Sequence, residues 1–304
     1  MKVFLLPAGE NWVCDRFVSE WYEYNSDISS KSVINADILW IVAGWCWNKI
    51  PTQILKNKFV VLTIHHIFSK KFTDDKKSEF LYRDQFIDVY HVTCENTRDQ
   101  IKSLTKKPIF VEPFWVNQNL WYNKDKINSR KKYGIDNDTY LIGSFQRDTE
   151  GSDLISPKLE KGPDLFCDYV EKENKSKSNI QVLLAGWRRQ YVISRLQKAN
   201  IKFYYYELPE FSILNDLYNC LDLYVVASRC EGGPQAIVEC AASKTPIIST
   251  DVGIASEFLA KESILCDDWN ATPNIEIPYE KIKPYLIPSG FEKFRNFLIS
   301  GDLF

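Results

Sequence analysis

The chain has 304 residues, which suggests two domains of about 150 residues each. Its 38 basic and 40 acidic residues nearly balance. This balance argues against nucleic acid as the main partner, because proteins that bind nucleic acid carry an excess of basic charge. The 8 cysteines contain no C-x-x-C pair, which disfavours a zinc site and indicates reduced intracellular thiols.

No apolar run is long enough to act as a leader or a membrane span. The N-terminal run is too short for a signal peptide, and the longest run, residues 38–47, falls below the ~20 residues that cross a bilayer. We therefore expect a cytoplasmic protein with no transmembrane segment, which at most makes peripheral contact with a membrane surface.

Five short apolar runs in the first part of the chain predict the strands of a parallel sheet. Residues 38–43 and 59–64 are nearly continuous in apolar side chains, as strands buried on both faces should be. The other three strands are predicted at residues 2–6, 88–94 and 109–112. The pattern is typical of a doubly wound α/β domain.

Candidate ligand contacts follow two of these strands, at the carboxyl ends where parallel sheets place their sites. Gly9 lies in the turn after the first strand and could face a ligand, but no G-x-G-x-x-G is present and an ordinary strand-to-helix turn is favoured. His65 and His66 follow residues 59–64, where an imidazole can donate to a sugar hydroxyl or a phosphate. The alternative is a histidine satisfied by its own loop, and the sequence does not decide which of the two contacts substrate.

Residues 117–138 are polar and predict the connection between two domains. They contain the chain's one D-x-D, at residues 136–138, a tripeptide that can bind a metal in nucleotide-sugar enzymes. It precedes the strand predicted at residues 140–145, so it lies at the opposite end from ligand sites, and a polar turn is favoured. No metal is therefore predicted.

The second half repeats the strand-and-helix pattern, with strands predicted at residues 140–145, 181–185 and 202–206. Arg188 and Arg189 open the helix that follows the second of these strands. Cations are mildly unfavourable at a helix N-terminus, so this placement hints at an anionic ligand.

The most informative segment runs from residue 223 to residue 250. A strand at 223–227 and a second strand at 246–250 flank a helix at 235–243, and the turn before the helix contains Glu231, Gly232, Gly233 and Pro234. The two glycines let the backbone approach a ligand, and Pro234 suits the first helical position. The N-terminus of the helix then attracts an anion such as phosphate.

Two glutamates accompany this turn, Glu231 within it and Glu239 in the helix. A carboxylate can accept two hydrogen bonds from a vicinal diol such as a ribose. A glycine turn for phosphate, one acid for a ribose and one for a sugar or a developing positive charge together indicate a nucleotide-sugar site. The alternative is one surface glutamate and one helix-face glutamate on an ordinary α/β unit.

Residues 228–250 follow the pattern S-x-x-E-G-x-P-x-x-x-x-E-x-x-A-x-x-x-P-I-I-x-T. This pattern resembles the signature of family 4 of the GT-B retaining glycosyltransferases (glycosyltransferase group 1), over about residues 139–260. The resemblance implies that Glu231 faces the donor sugar and phosphate, and that Glu239 holds the ribose hydroxyls. Ser243 and Lys244 depart from the family, which usually has a glycine there.

The resemblance also implies that Arg147 and Lys161 clamp the two phosphates of the donor, although the family's spacing between these basic positions is shorter than here. Cations are needed there because the departing diphosphate must be neutralised without a metal. Leu208 lies in the loop 207–209, where such folds place the nucleobase. The donor would be a UDP- or GDP-sugar, with no cofactor.

The implied fold is α/β, with two Rossmann-like domains facing across a cleft. We predict an acceptor-side domain at residues 1–132, a nucleotide-sugar-binding domain at 133–288, and a C-terminal helix at 289–304 that crosses back to the first domain. Phe291, Phe294 and Phe297 give that helix an apolar face.

The predicted function is a metal-independent, retaining transfer of a sugar from a nucleotide-diphosphate sugar to an acceptor hydroxyl of a glycan or glycolipid. Two alternatives remain. A non-hydrolysing nucleotide-sugar epimerase has a similar fold but needs an acid/base set that the sequence does not supply. A non-catalytic nucleotide-sugar-binding scaffold subunit would fit a short first domain that lacks an acceptor site.

Overall fold

A computed structural model describes residues 1–151, 153–267 and 269–300. Contacts divide the chain into two compact units, each with its own parallel sheet. The first unit comprises Met1–Phe114 and Pro288–Phe304, and the second comprises Trp115–Ile287. We predicted that residues 115–132 belong to the first domain, but their contacts place them in the second unit.

The sheet of the first unit has five strands, and each pairs in parallel with the one before it in the chain. The strands are β1 (Val3–Leu5), β2 (Ile38–Ile41), β3 (Phe59–Ile64), β4 (Val89–Val92) and β5 (Ile109–Val111). β2 is buried along its whole length and β3 at every residue after Phe59, which explains their nearly continuous apolar sequences. The helices between the strands are α1 (Val13–Tyr24), α2 (Thr52–Leu55), α3 (Asp74–Asp84) and α4 (Glu95–Ile101).

The sheet of the second unit also has five parallel strands, in the order β10-β9-β6-β7-β8. The strands are β6 (Tyr140–Ser144), β7 (Ile180–Ala185), β8 (Phe203–Tyr206), β9 (Leu223–Val226) and β10 (Ile247–Ser249). The order reverses between β6 and β9, so the loops that leave these two strands diverge there. The predicted α/β class with two parallel sheets is confirmed.

In the described part of the second unit, seven α-helices alternate with or follow the strands. They are α5 (Lys126–Tyr133), α6 (Pro163–Ser176), α7 (Gln190–Lys198), α8 (Phe211–Cys220), α9 (Gln235–Ser243), α10 (Ala255–Phe258) and α11 (Glu276–Ile282). A buried apolar cluster from β6, β7, β9, α6 and α7 forms its core. Within the described residues, no helix combines the length and apolar character needed to span a bilayer.

The last helix among the described residues is α12 (Glu292–Ser300), which belongs to the first unit. Its aromatic face packs on the first sheet, with ring centroids 5.2 Å apart for Phe294 and Trp40 and 4.3 Å apart for Phe297 and Phe110. Arg295 adds an ion pair with Asp27 at 2.7 Å. Residues 301–304, part of the predicted C-terminal helix, lie outside the described residues.

Candidate functional site

The reversal of strand order between β6 and β9 marks the place in the second unit where a ligand site is expected. In open parallel sheets, ligands bind outside the carboxyl ends of the strands at such a switch point. The loop after β9 begins at Ala227 and leads through Ser228 and Glu231 into α9. The loop after β6 begins at Phe145 and leads to Lys161.

An ion pair joins these two loops. Both carboxylate oxygens of Glu231 lie 2.6 Å from the Nζ atom of Lys161, and the side chains are 8% and 21% exposed. The Ser228 hydroxyl lies 3.0 Å from Oε1 of Glu231, to which it donates. The ammonium that sequence analysis assigned to phosphate is therefore already neutralised by the predicted sugar-facing glutamate, and a diphosphate would have to compete with that carboxylate.

The position of Lys161 depends on the glycine that follows it. Gly162 has φ of +59°, and a Cβ atom there would lie 1.8 Å from the carbonyl oxygen of Ala227. Only glycine therefore lets the chain pass so close to the carboxyl end of β9. The side-chain amide of Gln146 fixes the same turn by donating to the Lys161 carbonyl at 2.8 Å.

A second close approach fixes the turn before α9. Gly253 has φ of +55°, and a Cβ atom there would lie 1.9 Å from the carbonyl oxygen of Gly232 and 3.0 Å from Cδ of Pro234. Gly253 is absent from the residues predicted above, because its contact with Gly232 arises only from tertiary folding. An isolated glycine shortly after a strand is the signal that was available.

Pro234 occupies a different position from the one predicted. It is the N-cap of α9, with ψ of 107°, and the helix begins at Gln235. A proline side chain has no acceptor, so the first-turn amides of α9 have no N-cap side chain to which they could donate. The amide-rich start of the helix still follows Gly232 and Gly233 directly, as the anion-site interpretation requires.

Glu239 lies within α9 and is buried. The Tyr218 hydroxyl donates to its Oε2 atom at 2.8 Å. Burial, and the negative charge of Glu239 beside it, raise the pKa of Tyr218 well above its ordinary value, so this hydroxyl stays protonated and keeps donating. One oxygen of Glu239 is thus held in place by Tyr218, and its contact with a ribose stays a prediction.

Arg147 follows β6 and lies near an exposed tryptophan. Its Nε atom donates to the Thr149 carbonyl at 2.8 Å, and its guanidinium carbon is 5.9 Å from the ring of Trp187. Arg188 lies 4.2 Å from the same ring. Trp187 is absent from the residues predicted above, although its position after a buried strand and Gly186 is a signal that the sequence contains.

The two predicted phosphate-binding cations share their surroundings with a third. Burial lowers the pKa of Lys158, Glu160 opposes this shift, and the positive charges of Lys161 and Arg147 add to it. The Lys158 Nζ atom lies 3.5 Å from Glu160. The loop after β6 therefore brings three cationic side chains together, and two of them, Lys158 and Lys161, lie beside glutamates.

The hint of an anionic ligand at Arg189 is wrong, because the protein supplies the anion itself. Arg189 is fully buried, and its Nε atom lies 3.1 Å from Oδ2 of Asp148. The Asp148 carboxylate also accepts from the backbone amides of Tyr191 and Val192, at 3.3 and 3.4 Å, at the start of α7. The Asp148 carboxylate thus accepts hydrogen bonds from the N-terminal amides of α7, in the place where an anionic ligand was predicted.

Leu208 lies in the loop after β8, at the same edge of the second sheet. It is exposed and adopts φ of +42°, an unusual conformation for a non-glycine residue. Its predicted contact with a nucleobase stays a prediction.

In the first unit, His65 is held by its neighbours. Its Nε2 atom lies 3.0 Å from the Val42 carbonyl and 3.8 Å from the Cys14 sulfur, and its ring centroid is 5.5 Å from that of Trp45. Burial raises the pKa of Cys14 to about 12, so that sulfur is a neutral thiol. His66 is half-buried, and the predicted contact of either histidine with substrate stays a prediction.

The amides around Gly9 are occupied by a protein carboxylate. The N–H groups of Gly9, Glu10 and Asn11 donate to Asp15 at 3.0, 2.6 and 2.8 Å. These three bonds lower the pKa of Asp15 against the opposing effect of its partial burial. They support the strand-to-helix turn over a ligand-facing role for Gly9.

The D-x-D tripeptide forms a polar turn, in which Asp136 accepts from the amide of Asp138 at 3.1 Å. It lies before the amino end of β6, whereas the switch-point site lies at the carboxyl ends of the strands. Across residues 1–151, 153–267 and 269–300, no group of three or more His, Cys, Asp or Glu side chains is arranged to hold a metal ion.

Comparison with known proteins gives a family match in the second unit. Residues 154–273 match the family model described as glycosyl transferases group 1. The chain is also 26% identical over 175 residues to the lipopolysaccharide core biosynthesis mannosyltransferase LpsB of Rhizobium meliloti (strain 1021), covering 53% of this chain and 47% of that one. The chain spans less than half the length of the curated relatives it matches.

Solved structures match over almost the whole chain. HepE of Anabaena, in complex with UDP and glucose, has a TM-score of 0.67 at 12% identity, covering 93% of this chain and 89% of that one. The apo form of the lipopolysaccharide outer core galactosyltransferase WaaB has a TM-score of 0.62 at 12% identity, covering 99% and 100%. At this identity the likeness shows the fold alone, and the expected GT-B fold is confirmed.

Proposed function

We propose that this chain, which has a GT-B fold and a glycosyltransferase group 1 domain at residues 154–273, transfers a sugar from a nucleotide-diphosphate sugar to an acceptor hydroxyl with retention of the anomeric configuration. The acceptor is a glycan or a lipid-linked glycan, and the enzyme works in the cytoplasm. The names of two similar proteins, both lipopolysaccharide core glycosyltransferases, support this class of acceptor.

The observation that carries the proposal is the Glu231–Lys161 ion pair at the switch point of the second sheet. A carboxylate suits a sugar hydroxyl or a developing positive charge, and an ammonium suits a departing diphosphate. Two glycines support this interpretation, because Gly162 lets the chain beside Lys161 pass close to Ala227, and Gly253 lets the chain pass close to Gly232 beside Glu231.

The donor is held at both of its ends. The β- and α-phosphates lie against Lys161, Arg147 and the amides of Gly232, Gly233 and the first turn of α9. The ribose hydroxyls donate to Glu239, which Tyr218 keeps in place. A uracil or guanine base lies beside the loop that contains Leu208.

The reaction breaks the bond between the anomeric carbon and the diphosphate oxygen and forms a bond between that carbon and the acceptor oxygen. The acceptor attacks from the face that the diphosphate leaves, and its proton passes to the departing diphosphate oxygen. We assign no protein nucleophile. Glu231 stabilises the oxocarbenium-like charge on the sugar, and the cations of the β6 loop stabilise the leaving group without a metal.

A thermal-shift screen against nucleoside diphosphates and nucleotide sugars tests the donor site. A ligand at 100 times its Kd should stabilise its folded unit by about 2.7 kcal/mol. We expect one base to give a shift that is lost in Glu239→Ala and retained in part in Glu239→Gln, which keeps an acceptor for Tyr218. No shift with any nucleotide would contradict the proposed function.

The stereochemistry and the metal requirement need separate measurements. Proton NMR of the first product should show the anomeric configuration of the donor, and turnover should persist in excess EDTA. Conversion of the donor sugar without any acceptor would instead identify an epimerase. Donor binding without turnover across a wide acceptor panel would favour a scaffold subunit.

A further inference from the structure

We propose that the exposed indole of Trp45, in the first unit, is a stacking platform for a pyranose ring of the acceptor, so that the enzyme recognises a carbohydrate and not a phosphate-bearing headgroup. This inference rests on the proposed function, because it names the substrate that receives the sugar. It depends only on contacts inside the first unit.

Trp45 differs from most tryptophans of the chain in its exposure. Five of the nine are buried, whereas 53% of Trp45 is accessible. It lies in the 3-10 turn Gly44–Lys49 directly after β2. A Cβ atom on Gly44 would lie 2.5 Å from the Thr63 carbonyl oxygen, so the turn is packed tightly against β3 and presents the indole at the carboxyl edge of the sheet.

The indole is held in a fixed orientation. Its Nε1 atom donates to Oε1 of Glu10 at 2.9 Å. Glu10 itself lies in the turn whose three amides are bound by Asp15. An exposed ring that is restrained in this way loses little conformational freedom when a ligand stacks on it, which favours binding.

The polar groups around the indole suit a sugar. Glu10 follows β1, Trp45 follows β2 and His65 follows β3, so three neighbouring strands bring a carboxylate, an aromatic ring and an imidazole to one edge. Pyranose rings have an apolar C–H face that packs on an aromatic ring, with hydroxyls around the rim that donate to carboxylates.

The local charge argues against an anionic ligand. Glu10 and Asp15 contribute two carboxylates, and Lys49 contributes one ammonium, which donates to the Ala8 carbonyl at 2.7 Å. A phosphate beside Trp45 would be repelled by the carboxylate that is bonded to its indole. A neutral hydroxyl-rich ligand meets no such penalty.

The first test compares acceptor and donor kinetics in the full chain, with soluble p-nitrophenyl pyranosides as acceptors. Removing about 55 Å² of apolar contact corresponds to about a tenfold loss of binding. We therefore expect Trp45→Ala to lower kcat/KM for the acceptor at least tenfold while the donor KM changes less than twofold. Trp45→Phe should lose less, because it keeps a ring but not the N–H group.

Phe59→Ala is the matched control, since Phe59 is an exposed aromatic residue at the opposite, amino end of β3. It should change neither constant. An acceptor kcat/KM within twofold of the wild type in Trp45→Ala, or an equal rise of the donor KM, would overturn the proposal.

A spectroscopic test does not depend on turnover. In protein labelled with 5-fluorotryptophan, the fluorine resonance that is missing from Trp45→Phe belongs to Trp45. We expect methyl pyranosides to shift this resonance and inorganic phosphate or glycerol phosphate to leave it in place. A Trp45 resonance that stays unchanged with every saccharide at about 50 mM, where even weak binding is detected, would overturn the proposed stacking platform. Loss of nucleotide-sugar binding alone would contradict only the proposed donor site.

Discussion

Glu231 and Lys161 form an ion pair in which their charges neutralise each other, and this pairing places two opposing requirements on the glutamate. The carboxylate competes with the donor diphosphate for the Lys161 ammonium, yet it is also the group proposed to stabilise the sugar's positive charge. Substitution should therefore separate binding from turnover.

We expect Glu231→Gln to bind UDP or GDP about five- to tenfold more tightly, because a neutral amide releases the Lys161 charge, which corresponds to about 1 kcal/mol. Its kcat should fall by about 10²–10³, the usual effect of losing one charge-stabilising group. Isothermal titration calorimetry and initial rates measure the two effects. Lys161→Ala is the control that weakens diphosphate binding, and weaker binding in Glu231→Gln as well would contradict this competition.

A second residue-scale prediction concerns His91, which lies in a buried chain of hydrogen bonds. The Trp40 indole donates to the Thr63 hydroxyl, which donates to Nδ1 of His91 at 3.0 Å, and Nε2–H of His91 donates to the Glu112 carbonyl at 2.8 Å. The indole can only donate and the carbonyl can only accept, so this direction is fixed. His91 lies inside β4 and is fully buried, so it is a core histidine.

Burial lowers the pKa of His91 to about 3, so folding requires its neutral form. The unfolded chain takes up a proton at about pH 6.5 that the folded unit does not, so stability is lost as the pH falls below that value. We expect the titration of His91 to lower the free energy of unfolding of the first unit by at most about 2 kcal/mol between pH 6.5 and pH 5. Urea titrations should show that the free energy of unfolding falls less with decreasing pH in His91→Gln than in the wild type. An equal pH dependence in the two proteins would contradict the assignment of this effect to His91.

At the scale of elements, the turn before α9 depends on the backbone contact between Gly253 and Gly232. A side chain at residue 253 must displace that turn, because its Cβ atom would lie 1.9 Å from a carbonyl oxygen. Gly134 ends α5 with φ of +65°, and among the described residues no atom beyond its two chain neighbours would lie within 4 Å of an added Cβ. It therefore isolates the cost of backbone conformation alone.

We expect Gly134→Ala to destabilise the second unit by about 1 kcal/mol, the cost of a left-handed residue. Gly253→Ala should cost about 2–4 kcal/mol, because it adds a steric clash. It should also raise the Kd for the nucleotide sugar at least tenfold. Denaturant titration and calorimetry check both values, and identical behaviour of the two variants would show that the turn does not depend on this contact.

The strands of both sheets and the helix within residues 223–250 could be predicted from sequence because their signals are local. Nearly continuous apolar runs identified the parallel strands, and the helix predicted at 235–243 has the observed bounds Gln235–Ser243. The Glu231–Lys161 proximity could be anticipated only through the resemblance to a family, since the two residues lie 70 positions apart.

Other features could not be predicted because they arise from tertiary contacts. The Asp148 carboxylate that serves the N-terminus of α7 comes from a loop 41 residues before Arg189, so the sequence around Arg189 suggested a ligand instead. The exposure of Trp45 and the close approach of Gly253 likewise depend on how neighbouring loops pack. Residue types alone did not distinguish these positions from ordinary core tryptophans and turn glycines.

At the scale of the whole molecule, each unit has a separate aromatic or aliphatic core. Phe294 of α12 lies among Trp40, His91 and Phe114 in the first unit. Phe166 of α6 lies in the core of the second unit. Large-to-small substitutions at these two positions should therefore act on different units.

We expect Phe294→Ala to cost the first unit about 3–5 kcal/mol, and Phe166→Ala to cost the second unit a similar amount. Hydrogen exchange read by mass spectrometry should show faster exchange in the strands of the substituted unit and unchanged protection of the other. A uniform loss of protection across both sheets, in either variant, would show that the two units unfold together.

The return of α12 to the first unit has a consequence for synthesis of the chain. A ribosome releases β1 to β5 first, but the aromatic residues that cover this sheet emerge only after the entire second unit has been translated. At ~5–20 residues per second this delay is roughly 10–35 s. During that time Trp40 and Phe110 lack their aromatic partners from α12. Nascent chains stalled before residue 288 should therefore recruit chaperones more strongly than the full-length chain.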